Sequence, residues 1–193
     1  MQRIGLLLLL IALLVSCAGR PQPREDRIPE HRGKPRINVS ALEKQIHTLI
    51  NKERRKQSLP VLEWDDSLAG IARRHSKDMA QRKYFDHDSI EGHDFSFRYK
   101  QGGYACNVRV GRTIYQGAEN LAQNNLYDSI TTVNGKPTRI DWNSQEKLAE
   151  TTVQGWMKSP GHRKNILTPH FKSEGIGISI APDDKVYVTQ NFC

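Results

Sequence analysis

The order in which helical and strand patterns follow one another constrains the fold of this chain more than any other feature of its sequence. Ser40–Glu43 is a capping-box pattern, which predicts the start of a first helix with a repeating apolar face behind it. Asp65 or Asp66 is placed to cap a second amphipathic helix. A third helix begins at Asn143 and is expected to stop at the Ser-Pro-Gly segment 159–161. Three helices are thus predicted ahead of the C-terminal segment.

Strand patterns predict two hairpins. The Asn-Gly turn within Val133–Lys136 joins segments 129–133 and 136–140. Near the C-terminus, apolar residues alternate with small or polar ones over 176–180 and again over 186–192, which predicts a terminal hairpin. Because helices come first and a hairpin last, the sequence predicts an α+β fold with an antiparallel sheet, and not a parallel βαβ arrangement.

The N-terminus has the pattern of an export signal. Arg3 precedes an uninterrupted apolar run, Leu6–Val15, which is ten residues long. A membrane-spanning helix needs about 20 apolar residues, so this run suits the hydrophobic region of a signal peptide over residues 1–16. The residues that close it, Leu14–Cys17, are similar to a bacterial lipobox, in which the cysteine is diacylated and becomes the new N-terminus. We therefore predict lipidation of Cys17, with ordinary cleavage nearby and a spare thiol as the alternative.

The segment that follows is predicted to be a tether. Residues 17–39 hold four of the nine prolines together with several arginines, so they cannot bury an apolar face and are expected to be extended. The folded domain is predicted over 40–193. Ala18 rather than aspartate follows Cys17, which predicts an outer-membrane anchor facing the periplasm if the source is Gram-negative. For such an exported protein, the net charge of +8 indicates a solvated surface or attraction to anionic envelope polymers, and no nucleic acid is expected as a partner.

The cysteine count supports one disulfide. With Cys17 acylated, Cys106 and Cys193 remain as a pair in an exported, oxidising setting. A bridge between them would join the C-terminus to the middle of the chain. The alternative is a nucleophilic Cys106, which requires surroundings that lower the pKa of its thiol, and the sequence shows no such surroundings.

Several common catalytic and binding motifs are absent from the sequence. The patterns G-x-x-x-x-G-K-[ST], G-x-G-x-x-G and H-E-x-x-H do not occur. Asp86–Asp94 is rich in metal-ligand residue types, but Glu91 replaces the glycine of an EF-hand and Phe97 replaces its bidentate glutamate. Ser159 and His162 lack a third residue to orient the histidine, as a serine triad requires. Nucleotide binding, EF-hand calcium binding and serine hydrolysis are therefore not indicated.

Six short segments occur in an order that resembles a known family. They are His75–Ala80, Tyr84–His87, Gly117–Ala122, Trp156–Leu167, Gly175–Gly177 and Val188–Phe192. Together they resemble the CAP superfamily of cysteine-rich secretory, antigen 5 and pathogenesis-related proteins, and most of all its bacterial branch. The resemblance covers residues 41–193. It implies an α-β-α sandwich in which a central antiparallel sheet lies between helices, with a central cleft.

The resemblance also implies a site in that cleft, where family members carry two histidines and two acidic residues that can bind a divalent cation. His87 matches the first histidine, Glu119 the glutamate of the G-E-N motif, and His162 the second histidine. Ser159 stands where many eukaryotic members have the second glutamate, so the set is incomplete. Two imidazoles and a carboxylate suit Zn²⁺ with one position open for water, while hydrogen-bonded cleft residues are the alternative. His75 shares the apolar face of its helix and is predicted to be a core histidine.

Three functions remain open from the sequence. The resemblance favours a ligand-binding or interaction module at the cell envelope, anchored to the membrane through Cys17, with a lipid, a glycan or a peptide as its ligand. A metal-assisted hydrolase is the alternative, because a cation held by His87, Glu119 and His162 would lower the pKa of bound water to about 7. A structural domain with an inactive cleft is the third. The missing second carboxylate leaves open whether the protein is an enzyme.

Overall fold

The computed structural model describes residues 33–193. The predicted signal peptide, Cys17 and most of the tether lie outside the described residues. Within residues 33–193, no helix has both the length and the apolar character needed to cross a membrane. The described residues belong to one compact unit and contain three clusters of buried apolar side chains. This unit therefore carries its own core.

Five helices occur in the described residues, and three of them are the predicted ones. Their bounds are Val39–Lys56 (α1), Asp66–Arg82 (α2), Phe95–Gln101 (α3), Gln145–Lys158 (α4) and Pro160–Ile166 (α5). The sequence did not predict α3 and α5. Each is only seven residues long, about two turns, which is too short for helical periodicity to show.

Eight strands form one four-stranded sheet and two separate hairpins in the described residues. Their bounds are Glu63–Trp64 (β1), Val108–Val110 (β2), Thr113–Tyr115 (β3), Ala118–Asn125 (β4), Tyr127–Val133 (β5), Lys136–Trp142 (β6), Ser173–Ile180 (β7) and Lys185–Phe192 (β8). The central sheet has the order β1-β7-β8-β4. Its pairs β7–β8 and β8–β4 are antiparallel, and the two-residue edge strand β1 runs parallel to β7. The predicted terminal hairpin is thus the middle of the sheet.

Of the three predicted helix N-termini, the structure contradicts one and confirms two. The predicted capping box at Ser40 is wrong, because α1 begins earlier: the side chain of Asn38 accepts a hydrogen bond from the backbone N–H of Ala41. Asp65 caps α2, as one of the two predicted alternatives. Ser144 caps α4, within the predicted start. Each cap accepts hydrogen bonds from N–H groups that have no partner inside their helix.

The helices form two layers, one on each face of the central sheet. The layer of α1, α4 and α5 buries the larger cluster, which includes Leu42, Ile46, Leu148, Trp156, Ile176 and Val188. The helix α2 covers the opposite face through contacts with β7 and β8, and α3 packs beside it. The predicted α+β sandwich, with its sheet between helices, is confirmed.

Two glycines of β7 set the distance between α2 and the sheet. A Cβ atom built on Gly175 would lie 2.0 Å from the backbone nitrogen of Ala69, and one built on Gly177 would lie 2.0 Å from that of Arg73. Both distances are far below van der Waals contact. The backbone of α2 therefore rests directly on the strand, and only glycine fits at these two positions.

Both predicted hairpins are present. The turn between β5 and β6 has positive φ at Asn134 (51°) and Gly135 (72°), the conformation that an Asn-Gly hairpin turn adopts. The structure also joins Cys106 to Cys193, with their Cα atoms 5.5 Å apart. The bridge connects the end of β8 to the segment that follows α3.

Candidate functional site

The strand β4, at the edge of the central sheet, presents two neighbouring residues to opposite layers. Side chains alternate between the faces of a strand, so Glu119 points to the layer of α2 and α3 whereas Asn120 points to the layer of α4 and α5. Both are buried. This alternation gives the two polar residues of the G-E-N motif separate partners.

Glu119 is held by an arginine that the sequence did not predict. The Nη2 group of Arg98, on α3, donates to both carboxylate oxygens at 2.9 and 2.8 Å. The same guanidinium donates to the backbone carbonyls of His87 and His93, both at 2.8 Å. The side chain of Glu119 is 1% exposed and that of Arg98 is 10% exposed. Arg98 therefore neutralises a buried carboxylate and ties α3 to the loop that carries His87.

His87 completes this contact and faces the solvent. Its Nδ1 lies 3.0 Å from Oε1 of Glu119, and 51% of its side chain is exposed. The hydrogen bond to Glu119 raises the pKa of His87, and burial opposes this shift. Within residues 33–193, Nε2 of His87 makes no hydrogen bond, so this ring nitrogen is free to meet a ligand.

Asn120 fixes the position of the helix that carries His162. Its Nδ2 donates to the backbone carbonyl of His162 at 3.2 Å and to Oε1 of Gln190 at 2.9 Å. Asn165, also on α5, donates to Oδ1 of Asn120 at 2.9 Å and to the carbonyl of Glu119 at 3.2 Å. Burial lowers the pKa of His162, and the positive charge of His87 lowers it further. The two histidines therefore lie close enough to influence each other's charge.

The polar contacts continue from β4 across the sheet to α1. Gln190 donates through Nε2 to Oε2 of Glu174, a carboxylate with no exposed side-chain surface. Nδ1 of His47, on α1, lies 2.6 Å from the other oxygen of Glu174. This chain of hydrogen bonds links α1, β7, β8 and β4 to α5. It satisfies buried polar groups that would otherwise destabilise the fold.

The predicted metal ligands do not lie in a ready coordination geometry. In the described part of the chain, no group of three or more His, Cys, Asp or Glu side chains is arranged to hold a metal ion. Both oxygens of Glu119 accept hydrogen bonds from Arg98, so a cation at Glu119 would lie beside the positive charge of the guanidinium. Ser159 contributes only backbone contacts, at the junction of α4 and α5. The three residues as arranged do not fit a zinc site, although His87 and Glu119 are in contact.

The sequence predicted the role of His75 but not that of Arg98. His75 is buried, with Nε2 3.1 Å from the carbonyl of Asp86, and burial lowers its pKa; the core-histidine prediction is confirmed. Arg98 was missed because its partner lies 21 positions away and nothing local marks the pair. The one available signal was Asp94, which caps α3 by accepting from the backbone N–H of Phe97.

Comparison with known proteins identifies the family. The model of the cysteine-rich secretory protein (CAP) family matches residues 47–192. The uncharacterised protein YkwD of Bacillus subtilis is 34% identical over 141 residues, which are 72% of this chain and 43% of YkwD. The uncharacterised membrane protein YlbC of the same organism is 33% identical over 151 residues, 78% of this chain and 34% of YlbC. The chain thus spans less than half the length of these curated relatives.

Solved structures agree with this assignment. An extracellular protein with an SCP domain from Bacillus anthracis superposes with a TM-score of 0.57 at 28% identity, over 83% of this chain and 44% of that protein. The structure of NaASP2 with Zn²⁺ superposes with a TM-score of 0.50 at 12% identity, over 83% of each chain, and supports the fold alone. By its matched family model, its relatives and its α-β-α sandwich, the chain belongs to the cysteine-rich secretory protein (CAP) family.

Proposed function

We propose that this protein is an extracytoplasmic CAP-domain lipoprotein, anchored to a membrane through Cys17, that binds a ligand of the cell envelope at the cleft beside His87 and His162. The N-terminal signal pattern and the lipobox-like segment before Cys17 support the anchor. The extracellular relative of Bacillus anthracis and the membrane relative YlbC support a location outside the cytoplasm.

The pairing of Glu119 with Arg98 is the observation that favours binding over hydrolysis. A general base or a metal ligand needs a carboxylate oxygen that can approach a proton or a cation. Both oxygens of Glu119 are instead held by a guanidinium in a buried environment. Glu119 then acts as the fixed support of His87, and the exposed imidazole of His87 binds a polar ligand by donating or accepting a hydrogen bond.

A calorimetric titration tests this assignment against the metal-assisted hydrolase. Zn²⁺ is added to residues 18–193 and to the variant His87→Ala/His162→Ala, and peptidase activity is measured on the same samples with and without chelator. We expect no stoichiometric zinc site that depends on the two histidines, and no chelator-sensitive turnover. One-to-one zinc binding that the double variant abolishes, together with chelator-sensitive hydrolysis, would overturn the proposal in favour of the hydrolase.

The anchor is tested separately in a bacterial host. The full chain and its Cys17→Ser variant are expressed with a radiolabelled fatty acid, and the membrane and soluble extracytoplasmic fractions are compared. We expect the full chain to carry label and to sediment with membranes, and the Cys17→Ser variant to lose both properties. Equal labelling of the two chains would contradict lipidation at Cys17.

A further inference from the structure

Arg98 also lines a cavity of about 430 Å³. It is enclosed by α2, by the loop that follows α2 and by α3. Its walls are formed mainly by Ile71, Arg74, Asp78, His93, Phe97 and Arg98. Its volume is within the range of pockets that bind small organic ligands. His87, Glu119 and His162 do not line it, so it is a separate site, although Arg98 in its wall also contacts Glu119.

The acidic groups of this cavity already have partners. Arg82 forms an ion pair with Glu91 at 2.6 Å and lies 3.6 Å from Asp78. Asp78 also accepts a hydrogen bond from the hydroxyl of Tyr84 at 2.5 Å. Burial raises the pKa of that hydroxyl, and the hydrogen bond to Asp78 raises it further. The ion pair with Arg82 lowers the pKa of Glu91 to about 2, so this carboxylate stays charged and paired. No acidic side chain of the wall is therefore left to attract a cation.

The basic groups of the cavity, in contrast, are not all paired with an acidic group. Arg74 forms no ion pair within residues 33–193. Its guanidinium lies next to the end of α3, where a Cβ atom on Gly102 would be 3.0 Å from Nη2. The Nε–H of Arg98 is buried and has no acceptor among the described residues. This nitrogen has almost no accessible surface, whereas Arg74 is exposed, so Arg74 is the unpaired cation of the wall that a ligand can reach.

The remaining wall is apolar and partly flat. Phe97 stacks on the ring of His93, with ring centroids 3.7 Å apart and an angle of 16° between the planes. The buried side chain of Ile71 forms the adjacent surface. Such a surface accepts a ring or a short aliphatic group by dispersion and by removal of water. The cavity thus offers one unpaired positive charge beside an apolar face.

We propose that this cavity binds a small organic carboxylate, with its apolar part on Phe97 and its carboxylate on Arg74. A guanidinium matches the planar geometry of a carboxylate. A single negative charge balances the one unpaired arginine. A phosphate monoester carries about −1.5 to −2 charges at neutral pH, which is more than one arginine balances. The site lies apart from the proposed cleft function, so either can fail alone.

Three probes with the same ring separate the contributions of charge and shape. Benzoate, benzyl alcohol and phenyl phosphate are each titrated into ¹⁵N-labelled residues 18–193, and backbone amide shifts are followed. We expect saturable shifts with benzoate in α2 and α3, around Arg74 and Phe97. Benzyl alcohol should bind about tenfold more weakly, because hydrogen bonds to charged groups contribute about 1.5–3 kcal/mol. Phenyl phosphate should not bind more tightly than benzoate.

Two variants that each remove one arginine provide the matched comparison. Arg74→Met removes the unpaired charge of the cavity, and Arg112→Met removes a charge of the exposed turn between β2 and β3. We expect Arg74→Met to weaken benzoate binding about tenfold and Arg112→Met to leave it unchanged. Absence of saturable shifts, shifts outside α2 and α3, equal effects of the two variants, or tighter binding of phenyl phosphate would each overturn the proposal.

Discussion

Replacement of Arg98 by methionine tests the central electrostatic argument of the structure. Methionine keeps much of the aliphatic length of arginine but removes the charge that faces Glu119. The carboxylate is 1% exposed and would keep only His87 as a partner. Removal of one member of a buried ion pair destabilises a protein by about 3–5 kcal/mol. This is a large part of the roughly 5–15 kcal/mol by which domains are stable. For a domain of this size it corresponds to a fall in Tm of roughly 6–20 °C.

The assay is thermal and urea unfolding of residues 18–193 at pH 7, completed as a double-variant cycle. Glu119→Gln and Arg98→Met/Glu119→Gln are measured beside Arg98→Met. Because the double variant leaves no buried charge, we expect it to lose about 0.5–3 kcal/mol less than the sum of the two single losses.

An exposed ion pair of the same chain serves as the control. Arg82 and Glu91 are 2.6 Å apart, but their side chains are 37% and 51% exposed. Water and salt screen such pairs, so Arg82→Met should change Tm far less than Arg98→Met. Equal changes in Tm for the two variants, or strictly additive losses in the cycle, would refute the reasoning that Arg98 neutralises a buried charge.

Three further predictions concern the histidine, the sheet and the disulfide. Glu119→Gln should lower the raised pKa of His87, as measured by NMR titration of the imidazole. In the unchanged chain, the contact between His87 and Glu119 should stabilise the fold fully below pH 6.5. This contribution should be lost as the pH rises through the pKa of His87 in the folded protein. Gly177→Ala should lower the free energy of unfolding by about 1–3 kcal/mol or more, because its Cβ would lie 2.0 Å from backbone, whereas Gly161→Ala, with open space at its Cβ, should not destabilise the domain in this way. Cys193→Ser opens a bridge of sequence separation 87 and should cost about 4–5 kcal/mol in urea unfolding, and a loss below 1 kcal/mol would contradict the chain-entropy argument.

Much of the fold could be predicted because its signals are local. Three such signals depend only on residues a few positions apart in the sequence, and the structure contains all of them: the cap at Asp65, the Asn-Gly turn at 134–135 and the alternation in 176–192. The cap of α1 was misplaced by two residues because both Asn38 and Ser40 are good cap residues, and only the packing of the helix decides between them. The seven-residue helices α3 and α5 carry too little pattern to predict.

In the candidate site, too, some features follow from the sequence and others only from the tertiary structure. The sequence by itself determined the α+β class, the helix and hairpin signals and the motifs that carry His87, Glu119 and His162, since these depend on neighbours along the chain. Only the tertiary structure decided that Arg98 holds both oxygens of Glu119 and that Arg74 stays unpaired. Charge pairing depends on which side chains meet in space and on how much water surrounds them, and neither quantity follows from spacing in the sequence.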